Sequence, residues 1–238
     1  MIMPVIRGSL GRSEALQLVE LIGRRDPELR ASARARLERD GVDGILDDPR
    51  TLNALLTEED VRARPELVFY VLVRQSLLER GVDDLETADY VASMLVRFGR
   101  KRRAYRISES GEEEYGYLVD LMQQLSEANT REAFMLRAHM GNFALWLSGV
   151  FPDYLEGRER RRGAPSLAYY ERVGSSGFEM AARSPEADAL GVRSVLSGVA
   201  RQFSGVRSAL NRVSDRYLWR SGAHPVGRVL REVGYAFE

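Results

Sequence analysis

The chain contains no cysteine, which excludes disulfides, thiolate zinc sites, iron–sulfur clusters and cysteine nucleophiles. That absence fits a reducing compartment. Histidine is scarce, with only His139 and His224, and Lys101 is the single lysine, so nearly all of the 35 basic residues are arginine. Such arginine usage is what a GC-rich genome produces and carries little functional weight by itself. No apolar run approaches the roughly 20 residues of a membrane span. The opening MIMPVIRGSLGRSEAL lacks the apolar core of a secretory signal. Charge of one sign is not in excess either: 35 basic and 35 acidic residues leave a formal net charge of +0, whereas a dedicated nucleic-acid binder usually carries a basic surplus. A cytoplasmic location without a membrane partner is the expectation.

What the chain does have is helix punctuation. With 44% hydrophobic and 29% charged residues over 238 positions it can bury a sizeable core, and strand-type alternation is rare. Asp26-Pro27, Asp48-Pro49 and Ser184-Pro185 are cap-plus-proline starts, as is Asn129 or Thr130 ahead of a long apolar stretch; Thr57–Asp60 resembles a capping box, and Gly41, Gly81 and Gly99 are stops. The spacing predicts an all-α, single-domain bundle of about nine helices over residues 1–238. The helix Phe134–Leu147 lies at its centre, and residues 1–56 are a candidate accessory N-terminal segment. One stretch, 102–117, alternates well enough for a short β-hairpin, with a solvated loop as the alternative. HPVGRVLREVGY, from His224, reads as a last short helix.

GVRSVLSGVARQFSGVRSALNRVSDRYLW carries a seven-residue beat. Read as one helix over 186–219, it places Val192, Leu196, Val199, Phe203, Val206 and Leu210 on a heptad seam, with Gly191, Gly198 and Gly205 along its flank. An interior helical glycine costs about 1 kcal/mol relative to alanine, so a compensating gain is expected. Close approach of a neighbouring backbone supplies one; a kink at Ser204–Gly205 is the competing explanation. A phosphate loop lacks both the preceding strand and the required spacing.

The residues that could carry chemistry are few. His139 has Asn142 and Phe143 at helical spacing, neither of them a metal ligand or proton-transfer partner, which favours a core histidine over a catalytic one. GEEEYG offers carboxylates that diverge on a helix. No catalytic triad, metal set or cofactor fingerprint is present, and the expectation is no catalytic residue, no metal and no cofactor. Two basic clusters remain: Arg100, Lys101, Arg102, Arg103 and Arg106, and Arg158, Arg160, Arg161 and Arg162. Basic residues near tyrosine suit phosphate backbones, and residues 66–99 have the outline of a helix–turn–helix. The second helix, however, opens with Asp83, Asp84, Glu86 and Asp89, which would repel phosphates and which suit a helix N-terminus.

GNFALWLSGVFPDYL followed by AYYERVGSSGFEMAA, Gly141 to Ala182, resembles a pattern in a family of uncharacterised bacterial helical proteins: Gly-Asn/Asp-x-x-Leu-(Phe/Trp)-(Leu/Met)-Ser/Thr-Gly-Phe and then Tyr-Tyr. The resemblance implies a bacterial origin and a helical fold and lends no functional residues. The leading expectation is a non-catalytic bacterial cytosolic interaction or adaptor protein that binds another protein. A nucleic-acid-associated protein using the two basic clusters, and an enzyme or small-molecule binder with a pocket near His139, stand as alternatives.

Overall fold

Proline sets the frame of this molecule. Five helices begin on it, at Pro27, Pro49, Pro65, Pro152 and Pro185, where the missing N–H is one the first helical turn would leave unpaired anyway. The computed structural model describes residues 1–57, 63–98 and 118–218. Of these, 81% are helical and none forms a strand. In order, the helices are α1 (Ile6–Ser9), α2 (Arg12–Ile22), α3 (Pro27–Leu46), α4 (Pro49–Thr57), α5 (Pro65–Leu78), α6 (Leu85–Phe98), α7 (Leu118–Leu125), α8 (Thr130–Val150), α9 (Pro152–Arg162), α10 (Leu167–Ala182), α11 (Pro185–Ala189), α12 (Arg193–Arg201) and α13 (Phe203–Val213), followed by a π-helical turn, Ser214–Leu218. The described residues thus hold thirteen helices, not about nine. The candidate hairpin at 102–117, most of the capping box at Thr57–Asp60 and the last short helix from His224 fall outside the described residues.

Local chemistry explains most of the starts. The Asp26 carboxylate accepts from the backbone N–H of Glu28 and Leu29, Ser184 from that of Ala187, and Asn129 forms a reciprocal box with Glu132 at the head of α8. Gly41 breaks α3 internally, at φ 70° and ψ −163°, and the chain resumes helical geometry to Leu46. The stop predicted there is real, although the helix does not end at it.

The region 186–219 is not one helix. Gly191 sits at φ +67°, where its N–H bonds to the carbonyl of Asp188 (3.0 Å) and the Val192 N–H to that of Ala187 (2.9 Å). This is a Schellman stop, and only glycine takes its left-handed position without strain. A second break falls at Gln202 (φ −104°, ψ 17°), between α12 and α13. The two breaks let α12 lie on α10 and α6, while α13 turns to pack between α8 and α5. The seam side chains Val192, Leu196, Val199, Phe203, Val206 and Leu210 are all buried.

α8 occupies the centre and touches α7, α9, α10, α11 and α13, most extensively α10. It is buried from Ala138 through Trp146. The α8–α10 crossing is tight because glycines face each other there. A Cβ on Gly177 would lie 2.8 Å from the Arg137 carbonyl oxygen, and one on Gly174 would lie 2.9 Å from the Ala144 Cβ, both on α8. At its C-terminus α8 is closed by α13 and the residue after it: the Asn211 amide donates to the carbonyls of Ser148 (3.0 Å) and Gly149 (2.7 Å), and the Ser214 hydroxyl to that of Val150 (2.7 Å). One cluster of buried apolar side chains runs from Ile2 through α5, α6 and α8 to Leu210, so the first 56 residues share the core of the rest.

Candidate functional site

The second basic cluster lies on α9. Leu155 and Gly157 are its buried residues; most of the rest of the helix faces solvent. Tyr154 is half exposed, and the Arg158 guanidinium lies 5.6 Å from the centre of its ring. Arg160, Arg161 and Arg162 are exposed on the last turn and make no ion pair with another described residue. Cations at a helix C-terminus are favoured by the macrodipole, which accounts for their position and leaves their outward groups free for a partner. Three exposed carboxylates, Asp153, Glu156 and Glu159, are interleaved with them. The face is therefore patterned, not uniformly positive. The first cluster, Arg100, Lys101, Arg102, Arg103 and Arg106, lies outside the described residues, as do GEEEYG and His224.

His139 lies in the interior. Its ring stacks on Phe143 (6.2 Å between centroids, 23° between planes) and leans on Phe98 (6.0 Å), and its Nε2 has no hydrogen-bond partner. The adjoining cavity measures about 10 Å³ and is lined by Met1, Ile2, Arg97, Phe98, Met135, Ala138 and Asn142. Burial, helped by the positive Met1 amine and Arg97, pushes the imidazole pKa down to about 3. The ring is neutral at ordinary pH. Among the described residues, a cavity of that size beside His139 admits one water and no larger ligand.

A third set, which sequence reasoning missed, joins two Asp-Asp pairs. Arg74 on α5 is 3% exposed. Its Nε donates to Asp47 Oδ1 (2.8 Å), and its Nη2 donates to Asp47 Oδ2 (2.7 Å) and Asp83 Oδ1 (2.6 Å). Burial opposes the guanidinium charge, and these bonds outweigh it, holding the pKa above the ordinary arginine value. The second aspartate of each pair caps the helix that follows. Asp48 accepts from the Arg50 N–H at 2.9 Å, and Asp84 from the N–H groups of Glu86 (3.0 Å) and Thr87 (3.1 Å). One guanidinium thus fixes two turns whose other halves start α4 and α6. The available signal was a lone arginine inside the apolar run LVFYVLVRQSLL.

Asp89, another acid of the presumed recognition helix, accepts from the Ile6 N–H at 2.9 Å. Burial raises its pKa, and the N–H groups of Arg7 and Ile6 partly offset this. With α6 buried from Thr87 through Leu95, no broad face of it is left to enter a groove, and its acids serve the fold.

No protein-family model, curated protein or solved structure matches the chain. Among the described residues no group of three or more histidine, cysteine or acidic side chains is arranged to hold a metal, and no helix is long and apolar enough to cross a membrane.

Proposed function

We propose that this protein is a non-catalytic interaction protein of the bacterial cytosol, and that it engages an acidic protein surface through α9. The observation that carries the reading is the cluster of exposed Tyr154, Arg160, Arg161 and Arg162 and half-buried Arg158 on one short helix, whose last three arginines have no ion-pair partner among the described residues. Arginine and tyrosine are enriched where proteins bind proteins. The interleaved Asp153, Glu156 and Glu159 favour an acidic protein surface that also carries basic groups over a polyphosphate, whose uniform negative field they would oppose. The buried titratable groups lend no support to catalysis: Arg74 and Asp89 hold structural bonds, and His139 has no proton-transfer partner at its Nε2.

A photo-crosslinker placed at Tyr154 tests this in cells of the source organism. A discrete protein adduct is expected, lost when Arg160, Arg161 and Arg162 are changed to glutamate while the thermal melt is unchanged. Fluorescence anisotropy with duplex DNA, single-stranded DNA and RNA is the counterpart, and no binding tighter than about 10⁻⁶ M at physiological salt is expected. Sub-micromolar, strongly salt-dependent binding that disappears in the same variant would replace the protein partner by a nucleic acid. An adduct that survives charge reversal would remove α9 from the interface.

A further inference from the structure

We propose that residues 1–5 form a pH-sensitive strap, released from α6 and α8 when His139 beneath it takes up a proton. This segment is not helical, and it is held at two points on α6. Arg97 Nη1 donates to the Met1 carbonyl at 2.8 Å, and the Ile6 N–H donates to Asp89 at 2.9 Å. Between them Ile2 is buried, at 4% exposure, whereas Met3 and Val5 are exposed. Met1 and Ile2 form one wall of the cavity into which His139 faces. The strap therefore covers one side of the cavity beside His139.

An imidazolium at this position would be unstable for three reasons. It is buried, its Nε2 has no acceptor, and the charged groups around it are positive. From the strap it faces the Met1 amine, from α6 the Arg97 guanidinium, and from α8 only the uncharged Met135, Ala138 and Asn142; the aromatic neighbours are Phe98 and Phe143. Among the described residues no carboxylate lines the cavity. Opening the strap would hydrate the ring at the expense of the burial of Ile2, the packing of Met1 and the anchors to α6. Moving α8 would instead disrupt its extensive packing on α10 and α13. The strap is the cheapest element to displace.

The sign follows from the depressed pKa. The closed state holds a neutral ring, so its advantage is complete above the free-histidine pKa near 6.5 and falls as pH drops toward about 3. With those two values, strap opening becomes about 25-fold more favourable between pH 7 and pH 5. Asp89 acts in the opposite direction: burial raises its pKa in the closed state, so its protonation there favours closure, an effect that fades as pH rises through that raised value. The comparison with a His139 variant isolates the histidine's part.

Hydrogen exchange resolved to the peptide 1–10, corrected for the intrinsic pH dependence of exchange, reads the opening directly. We expect protection of Ile6 and its neighbours to fall about 25-fold from pH 7 to pH 5 in the wild-type protein. The fall should disappear in His139→Gln and persist in His224→Gln. His139→Leu provides the same comparison if the glutamine variant does not fold. Should neither fold, the wild-type imidazole C2–H titration followed by NMR takes their place, with a midpoint well below 6.5 expected. Unchanged wild-type protection, an equal fall in a His139 variant, loss of the fall in His224→Gln, or an ordinary His139 midpoint overturns the proposal.

Discussion

Gly198 and Gly205 recur on a seven-residue beat and Gly177 has no such period, yet Gly177 is the one that meets the backbone of a neighbouring helix. A Cβ on Gly177 would meet main-chain atoms of α8, the Arg137 carbonyl oxygen at 2.8 Å and the Gly141 nitrogen at 3.1 Å. A Cβ on Gly198 would meet only side-chain ends, Asp84 Oδ2 at 3.2 Å and Thr87 Oγ1 at 3.4 Å, and one on Gly205 would meet a Val82 methyl at 3.3 Å. Side-chain ends can rotate away, whereas a backbone carbonyl moves only with its helix. The periodic glycines flank a seam whose branched and aromatic members are buried. Period reports which face turns inward, and it does not report whether another backbone is in contact.

Three substitutions sharpen or break that contrast when read by chemical denaturation. Gly177→Ala should have the largest effect, a loss of about 3 kcal/mol, because the added methyl forces α8 and α10 apart. A loss below 1 kcal/mol would mean the crossing is loose. Gly198→Leu should cost roughly 1–3 kcal/mol despite leucine's better helix propensity, since a full side chain displaces the Asp84 cap of α6; an unchanged or raised midpoint would place this position in open space. Gly191→Ala should cost about 1 kcal/mol, for a different reason: nothing surrounds the new methyl, and the whole penalty is the left-handed backbone. A stabilising effect there would show that the break between α11 and α12 is not fixed by this residue.

The same distinction explains what was legible in the sequence. Asp26, Asn129 and Ser184 could be assigned as caps because their partners lie two or three residues away. The buried seam from Val192 to Leu210 was legible from its spacing, but the breaks at Gly191 and Gln202 were not. Gly191 had been placed on the seam's flank, and its φ depends on a stop signal that the heptad pattern masks. The α8–α10 contact was invisible, since GSSG carries no sign of what it touches. His139 was correctly expected in the core, while its cavity beneath Ile2 required knowledge of where residues 1–5 run. On α9, the arginines are legible from composition alone, whereas their exposure depends on how the helix is seated through Leu155 and Gly157.

Arg74 also has a consequence for the order of events in folding. Its two carboxylate partners lie on opposite sides of it in the chain, Asp83 nine residues after and Asp47 twenty-seven before. Closing the longer separation carries the greater chain entropy cost, so the bond to Asp83 becomes available as soon as α5 and the turn after it exist, and the bond to Asp47 has to wait for α3 and α5 to meet. Until then the guanidinium is only half matched, and the turn leading into α4 is held by Asp48 alone. The shorter loop favours the Asp83 bond by about 1 kcal/mol of closure entropy, and the turn into α4 gains its second anchor when α3 and α5 meet.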